Sequence, residues 1–256
     1  MDRVEHLFCT YLQHEGIGTL YERIVKGRML RRLAEDNGYT SVLELGCAVT
    51  KGFDNLPFLD KGLEVTVADA DIDAIRNNWP FPQRPNFSGL DSAPAADLVW
   101  AFARVQLEPS VIERMKLLAR RQLLVFVPNA LNPGAPAHFA YHLLTRTPCR
   151  HAERGRPGLR TRPGLVRLMA RHGVRVLDSG YIDAPPIPNI AFSIREFKKE
   201  MGWLKTADNG QPAASTRDPA KVWQSMQALT RFEASPFVRP LKLVIAHHIY
   251  ALGVVE

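Results

Sequence analysis

Acidic side chains flank three apolar segments that are typical of buried strands. Glu44 lies near the end of the segment TSVLEL, and Gly46 follows that segment directly. Asp69 and Asp71 end the segment EVTVADAD, 23 and 25 residues after Gly46, and Asp91 precedes the segment DLVWAF. Carboxylates after parallel strands are placed to accept hydrogen bonds from the two hydroxyls of a ribose, and Asp91 from an adenine amino group. The pattern predicts a site for a ligand that carries a nucleoside.

Strands and helices must alternate to bring these acids to one edge of a sheet. Apolar segments predict strands at 41–45, 64–68, 97–102, 122–127, 174–183 and 241–255. Helical spacing predicts helices within 4–37, at 71–78, at 110–119 and at 164–173, while 53–59 fits either state. This alternation predicts an α/β fold with an open, mostly parallel sheet and helices on both of its faces.

The segment before the last strand is too long to be a simple connection. It carries helical, aromatic-rich stretches such as FSIREFKKEMGWLK and VWQSMQALTRF, which are typical of a lid or a binding element. We therefore predict one domain over 1–256. Its parts are an N-terminal helical cap at 1–38, a core at 39–184, a helical insertion or lid at 185–236 and a terminal strand at 237–256.

In their order and spacing, these segments resemble the class I S-adenosylmethionine-dependent methyltransferases. VLELGCAVTKG is similar to the first motif of that family, VTVADADIDAI to its second strand, GLDSAPAADLVWAF to its adenine-side loop and fourth strand, and LLVFVPN to its fifth strand. The resemblance covers about Tyr21 to Asp183. It implies a Rossmann-like, seven-stranded, mostly parallel sheet with an antiparallel last strand, N-terminal helices and a helical insertion before that strand.

The resemblance also implies which residues bind S-adenosylmethionine. Glu44 and Gly46 would shape the methionine side of the pocket, Asp69 would bind the ribose, and Asp91 with the Ser92 backbone would contact the adenine. The full implied set is Glu44, Gly46, Cys47, Ala48, Asp69, Ala70, Asp71, Asp91, Ser92 and Phe102.

The glycine loop departs from the pattern of the family. Where the family has glycine at three alternate positions, this chain has Gly46, Ala48 and Thr50, and Gly52 is expected to take over the close approach of the backbone. Because of this altered loop, a second hypothesis stays open, in which the protein is a non-catalytic relative that has lost the cofactor. A nicotinamide dinucleotide fits poorly, because it requires G-x-G-x-x-G after the first strand.

Each residue of the implied site also has a structural explanation. Glu44 is placed to cap a neighbouring helix, and Asp71 to be the N-cap of the helix that follows it. Cys47 fits a small packed residue better than a nucleophile, because the sequence identifies no base for it.

No catalytic base is marked by the sequence. The weak candidates are His138 and His142, four residues apart on one predicted helical face, and Tyr21, on the helix before the first strand. A histidine pair requires a third ligand to hold a metal, none is marked, and we predict no metal site. His247 and His248 fall in the predicted terminal strand, where neighbouring side chains point to opposite faces and do not act jointly.

Composition limits the class of protein and its location. Hydrophobic residues make up 46% and charged residues 23%, which is typical of a globular protein. Three scattered cysteines favour a reducing compartment, the N-terminus lacks the apolar core of a signal peptide, and no apolar run approaches the length of a membrane span. We therefore expect a cytoplasmic protein, and its oligomeric state stays open.

The acceptor is the least determined part of the prediction. The net charge is +7, and nine arginines between Arg146 and Arg175 form a basic run without aromatic residues suited to base stacking. We expect a small organic acceptor, lipid-like or anionic. An RNA methyltransferase that uses the arginine-rich run is the alternative, and a non-catalytic binding protein is the third hypothesis.

Overall fold

The structure, a computed structural model, describes residues 2–12, 15–103, 110–134, 136, 140, 143–144, 152–153, 156–157, 160–186 and 218–255. Its helices are α1 (Arg3–Tyr11), α2 (Ile17–Asn37), α3 (Leu56–Asp60), α4 (Ile72–Asn77), α5 (Val111–Leu118), α6 (Arg162–Arg171), α7 (Pro219–Ala234) and α8 (Lys242–Ile245), with short 3-10 turns at Phe53–Asn55 and Leu90–Ser92. Its strands are β1 (Ser41–Leu45), β2 (Glu64–Asp69), β3 (Asn86–Gly89), β4 (Ala96–Phe102), β5 (Ala119–Pro128), β6 (Ala152–Glu153), β7 (Arg156–Pro157), β8 (Val174–Ile182) and β9 (His248–Val255).

Seven of these strands form one sheet in the order β3-β2-β1-β4-β5-β9-β8, and β6 with β7 forms a separate small ladder. β9 runs antiparallel to both of its neighbours, β5 and β8. The five strands from β3 to β5 in the sheet order pair with one another in parallel. The structure confirms the predicted fold class, a Rossmann-like, mostly parallel sheet whose last strand is antiparallel. Strand order reverses between β1 and β4, which is the switch point where open α/β sheets bind their ligands.

Apolar residues on both faces explain why the sheet is covered on both sides. Along β1 every residue is buried, and its side chains alternate between two cores. Leu43 and Leu45 join the core under α5 and α6, while Val42 joins the core under α2 and α3. Near-continuous apolar strands are typical of parallel sheets that lie between two helix layers.

The predicted helical region at 4–37 consists of two helices. Asp2 and Glu5 form a reciprocal capping box at the start of α1, and Gly16 is the N-cap of α2. Gly38 adopts the left-handed conformation (φ 57°) at the end of α2, which confirms the predicted stop at Asn37 and Gly38.

The prediction of a continuous terminal strand from Leu241 is wrong. Residues Lys242–Ile245 form the short helix α8, and the strand begins only at His248. The side-chain amide of Asn129 donates to the carbonyls of Leu243 and Ala246, and that of Asn132 donates to the carbonyls of Ile245 and Ala246. These bonds satisfy carbonyls that a helix end leaves free, so two distant asparagines outweigh the β-propensity of the segment.

Other elements differ from the prediction in smaller ways. The four-residue edge strand β3 was missed because its sequence, NFSG, shows no apolar alternation. The ambiguous stretch at 53–59 forms a 3-10 turn followed by α3.

Most of the predicted insertion, 187–217, lies outside the described residues, and the four-part division of the domain stays a prediction. Within the described residues, no helix is long and apolar enough to cross a membrane.

Candidate functional site

The loop after β1 is held tightly against the end of β2. Gly46 has a φ of 77°, and its amide donates to the carbonyl of Ala68 at 2.8 Å. Gly52 has a φ of 75°, and a Cβ atom there would lie 3.0 Å from a methyl carbon of Val67. Glycine is needed at position 52 because the backbone packs on the protein itself.

Glu44 fixes the shape of this loop from inside. Its carboxylate is fully buried and accepts short hydrogen bonds from the Thr50 hydroxyl and the Asn55 amide. Asn55 in turn accepts a bond of 2.9 Å from the indole nitrogen of Trp100 on β4. Thr50 therefore has a defined role at a position where the family that the sequence resembles has glycine.

Burial has an electrostatic consequence for the same side chain. It raises the pKa of Glu44 to about 8, and the nearby carboxylate of Asp54 adds to the increase, while the bonds from Thr50 and Asn55 oppose it. Glu44 thus holds a proton over most of the neutral range, and it does not line the cavity described below.

Asp69 joins the loop to the end of β2. One carboxylate oxygen accepts from the Ala48 amide at 2.9 Å, and the other accepts from the Asp71 amide at 3.1 Å. Each oxygen keeps a further lone pair for a ligand hydroxyl. Asp71 occupies the N-cap position of α4, but its side chain makes no capping hydrogen bond, and both it and Ala70 are exposed.

A cavity of about 480 Å³ opens beside these residues, at the carboxyl ends of β1 and β2. This volume is within the usual range for small-molecule sites. The cavity has two carboxylates, one ammonium group and several apolar side chains in its wall, which is formed by Leu12, Ala48, Lys51, Phe53, Asp69, Asp71, Ala74, Ile75, Asn78 and Pro80.

The remaining members of the implied cofactor set lie elsewhere. Cys47 is buried and packs with Val67, Ile72 and Ile75. Asp91 is exposed and pairs with Arg114 at 3.1 Å, while the Ser92 hydroxyl lies 3.0 Å from that of Ser88. Phe102, at the end of β4, is buried beneath the Lys26 ammonium, which lies 3.8 Å from the centre of its ring. None of these four residues lines the cavity described above.

Of the three candidate bases, Tyr21 alone belongs to the part of the chain that the structure describes. His138 and His142 lie outside the described residues. The Tyr21 hydroxyl donates to the Glu233 carboxylate at 2.6 Å. Burial raises the pKa of Tyr21 well above its usual range, and the bond to Glu233 raises it further, so the phenol keeps its proton and acts as a donor.

Sequence reasoning missed a buried ionic network on α2. Arg23 and Lys26 both contact the fully buried Asp54, each at 2.5 Å. Arg23 also pairs with Glu15 at 2.7 Å, and Lys26 with Glu22 at 2.7 Å. Burial alone would lower the pKa of Lys26, but the carboxylates of Asp54 and Glu22 outweigh it and raise the pKa, so the ammonium stays charged.

The prediction that His247 and His248 cannot act jointly is wrong. His247 precedes β9 instead of lying within it, and both imidazoles approach one carboxylate oxygen of Asp183, His247 at 3.0 Å and His248 at 3.4 Å. Burial raises the pKa of Asp183, but the two histidines outweigh burial and lower it. The sequence did carry a signal for this contact. Asp183 follows the strand β8, and the two histidines lie at the start of β9, so an antiparallel pairing of β8 with β9 brings them together.

The similarity of this chain to known proteins is low. No protein-family model matches the sequence, and no curated protein matches it. Among solved structures, the chain is similar to a SAM-dependent methyltransferase from Archaeoglobus fulgidus, with 13% identity, a TM-score of 0.47 and coverage of 89% of this chain and 93% of that one.

Two further solved structures are similar to this chain with comparable identity and TM-score. The plantazolicin methyltransferase BpumL in complex with SAH has 13% identity, a TM-score of 0.46 and coverage of 96% of this chain and 88% of that one. The methyltransferase domain of a bacterial Hen1 has 12% identity, a TM-score of 0.46 and coverage of 90% and 97%. The strand order of this chain itself, with its antiparallel β9, confirms at the level of fold the resemblance seen in the sequence.

Proposed function

We propose that the protein transfers a methyl group from S-adenosylmethionine to a small organic acceptor. The observation that carries this proposal is the position of Asp69. Its carboxylate ends β2 next to the switch point of the sheet, binds the Ala48 amide and lies in the wall of the 480 Å³ cavity. A carboxylate after the second strand of such a sheet is placed to accept from ribose hydroxyls.

The side chains around the cavity fit the chemistry of this cofactor. Asp69 and Asp71 offer acceptors for hydroxyls, and Lys51 offers an ammonium group for a carboxylate. Leu12, Phe53, Ile75 and Pro80 provide apolar walls of the kind that small-molecule sites use. The donor and acceptor set matches a ligand with a ribose, a charged amino-acid end and an apolar body.

The chain contributes mainly by holding groups in place. When bound, S-adenosylmethionine supplies an electrophilic methyl group on a sulfonium. Glu44, Thr50 and Asn55 hold the loop beside the cavity in one shape, which reduces the entropy lost when a ligand is positioned for an in-line displacement. A base is needed only for an acceptor that must lose a proton.

The same cavity supports a small organic acceptor, because its volume is that of small-molecule sites. The arginine-rich alternative makes a different prediction, because an RNA acceptor would bind with an affinity that falls steeply with salt. A non-catalytic protein would bind neither S-adenosylmethionine nor its demethylated product, S-adenosylhomocysteine. Affinity measurements therefore separate the three hypotheses.

Calorimetric titration with S-adenosylmethionine and S-adenosylhomocysteine tests the proposal. We expect saturable binding, weakened at least about tenfold by Asp69→Asn, which corresponds to about 1.4 kcal/mol of binding free energy. Asp71→Asn, an exposed change, gives a second variant if Asp69→Asn does not fold. The matched control is Asp73→Asn in α4, the helix of which Asp71 is the N-cap. Asp73 pairs with Arg76 and does not line the cavity.

Two outcomes would overturn the proposal. If neither ligand produces heat or raises the melting temperature of the wild-type protein, the enzymatic hypothesis fails. If both ligands bind equally well to wild type, Asp69→Asn and Asp71→Asn, the cofactor is bound somewhere else.

A further inference from the structure

Three side chains from distant parts of the chain converge at the sheet edge formed by the end of β8 and the start of β9. Glu22 comes from α2, Asp183 directly follows β8, and His248 begins β9. A ligand atom from each, two carboxylate oxygens and one imidazole nitrogen, lies within 4.8 Å of the other two. Ligands around a Zn²⁺ ion with bonds of about 2.0–2.2 Å lie about 3–4 Å apart, so small side-chain movements would close this set around an ion.

One carboxylate oxygen of this group, Oδ1 of Asp183, is buried and lacks a hydrogen-bond partner within the described part of the chain. Nδ1 of His248 faces the other oxygen of that carboxylate, Oδ2, at 3.4 Å. The Asp183 side chain is 0% exposed and that of His248 is 6% exposed. A carboxylate oxygen without a partner in such a place is costly unless a ligand occupies it.

We propose that Glu22, Asp183 and His248 bind one divalent transition-metal ion. A mixed nitrogen and oxygen set suits Zn²⁺, Mn²⁺ or Fe²⁺ better than Mg²⁺ or Ca²⁺, which prefer oxygen ligands alone. Lys26 occupies Oε1 of Glu22 at 2.7 Å and leaves the second oxygen of that carboxylate for the ion. His247, which contacts Asp183 at 3.0 Å, would orient that ligand.

The surroundings fix the ligands in place before an ion arrives. The His247 amide donates to the Asp183 carbonyl at 2.8 Å, which ties the start of β9 to the end of β8. The His248 ring lies 5.0 Å from the ring of Phe102, at the end of β4. Three protein ligands leave at least one position on the ion for water or another small ligand, as in catalytic metal sites.

Calorimetric titration of the metal-stripped full chain with Zn²⁺ tests this site. We expect one ion per chain, with affinity reduced at least about tenfold in both Asp183→Asn and Glu22→Gln. Zn²⁺ should raise the melting temperature of the wild type but not of these variants. The matched control is His172→Gln, because His172 forms a comparable pair with Glu113 at 2.6 Å but belongs to no three-ligand group among the described residues.

Several outcomes would overturn the assignment. They are the absence of stoichiometric Zn²⁺ binding, unchanged affinity in Glu22→Gln, and Mg²⁺ binding as tight as that of Zn²⁺. If Asp183→Asn does not fold, the partly exposed Glu22→Gln decides alone. The titration uses no S-adenosylmethionine, so its outcome is separate from that of the proposed function.

Discussion

The two polar regions at the carboxyl edge of the sheet are built in different ways. Around Asp69, the partners are the backbone amides of Ala48 and Asp71, which lie 21 and 2 residues away along the chain. Around Asp183, the neighbours are side chains from α2 and from the start of β9, and the buried Oδ1 of Asp183 has no hydrogen-bond partner among the described residues. The first region is local and satisfied, whereas the second is non-local and charged.

This difference indicates where each region is vulnerable. Backbone amides bind the Asp69 carboxylate, so the sensitivity of this region lies in the conformation of the loop that presents the Ala48 amide. The region around Asp183 and α2 depends on opposite charges that must all be present, and removing one partner leaves a buried charge without compensation. Three substitutions sharpen this contrast, and their expected effects decrease in the order given.

Lys26→Met should cause the largest loss. It removes the ammonium that lies 2.5 Å from Asp54 and 2.7 Å from Glu22, so the free energy of unfolding should fall by about 3–5 kcal/mol. Urea denaturation measures this. The control Lys61→Met breaks an exposed pair with Glu35 and should cost no more than about 1 kcal/mol. Equal losses in both variants would show that the buried network behaves like a surface pair.

Gly52→Ala tests the loop beside Asp69. Its φ of 75° disfavours a side chain, and the new Cβ would meet Val67 at 3.0 Å, so we expect a loss of about 2–3 kcal/mol in the free energy of unfolding. Gly62→Ala is the control, because Gly62 has a φ of 72° but open space around it, and should cost about 1–2 kcal/mol. If the two losses are the same, contact with Val67 does not constrain the loop.

Glu44→Gln tests the buried carboxyl through pH. The pKa of Glu44 is raised to about 8 by burial, so the folded protein keeps a proton that the unfolded chain releases above its ordinary pKa of 4.5. Stability from this group therefore falls as the pH rises from about 4.5 to 8, by at most about 1.4 kcal/mol per pH unit.

Denaturation at about pH 5, 6 and 7 should show that Glu44→Gln gains stability relative to wild type as the pH rises. Glu64→Gln, a change of an exposed glutamate at the start of β2, should run parallel to wild type. A constant difference between Glu44→Gln and wild type would mean that Glu44 does not titrate in this range.

The same contrast explains what the sequence could predict. Strand ends, the stop of α2 and the position of Asp69 were predictable, because each depends on residues that are close together in the chain. The helix α8 was not, since it depends on Asn129 and Asn132, more than a hundred residues earlier. The proximity of Glu22 to His248 was hidden for the same reason. The joint contact of His247 and His248 with Asp183 was hidden because the start of β9 was predicted too early in the chain.

The strand order also has a consequence for the order in which the protein folds. β9 separates β5 from β8, so β8 joins the sheet through residues His248–Val255. The parallel strands at 41–128 pair among themselves, but β8 cannot join them until β9 has been synthesised. Contacts so far apart in sequence form slowly, and the edge of β5 stays open until they do.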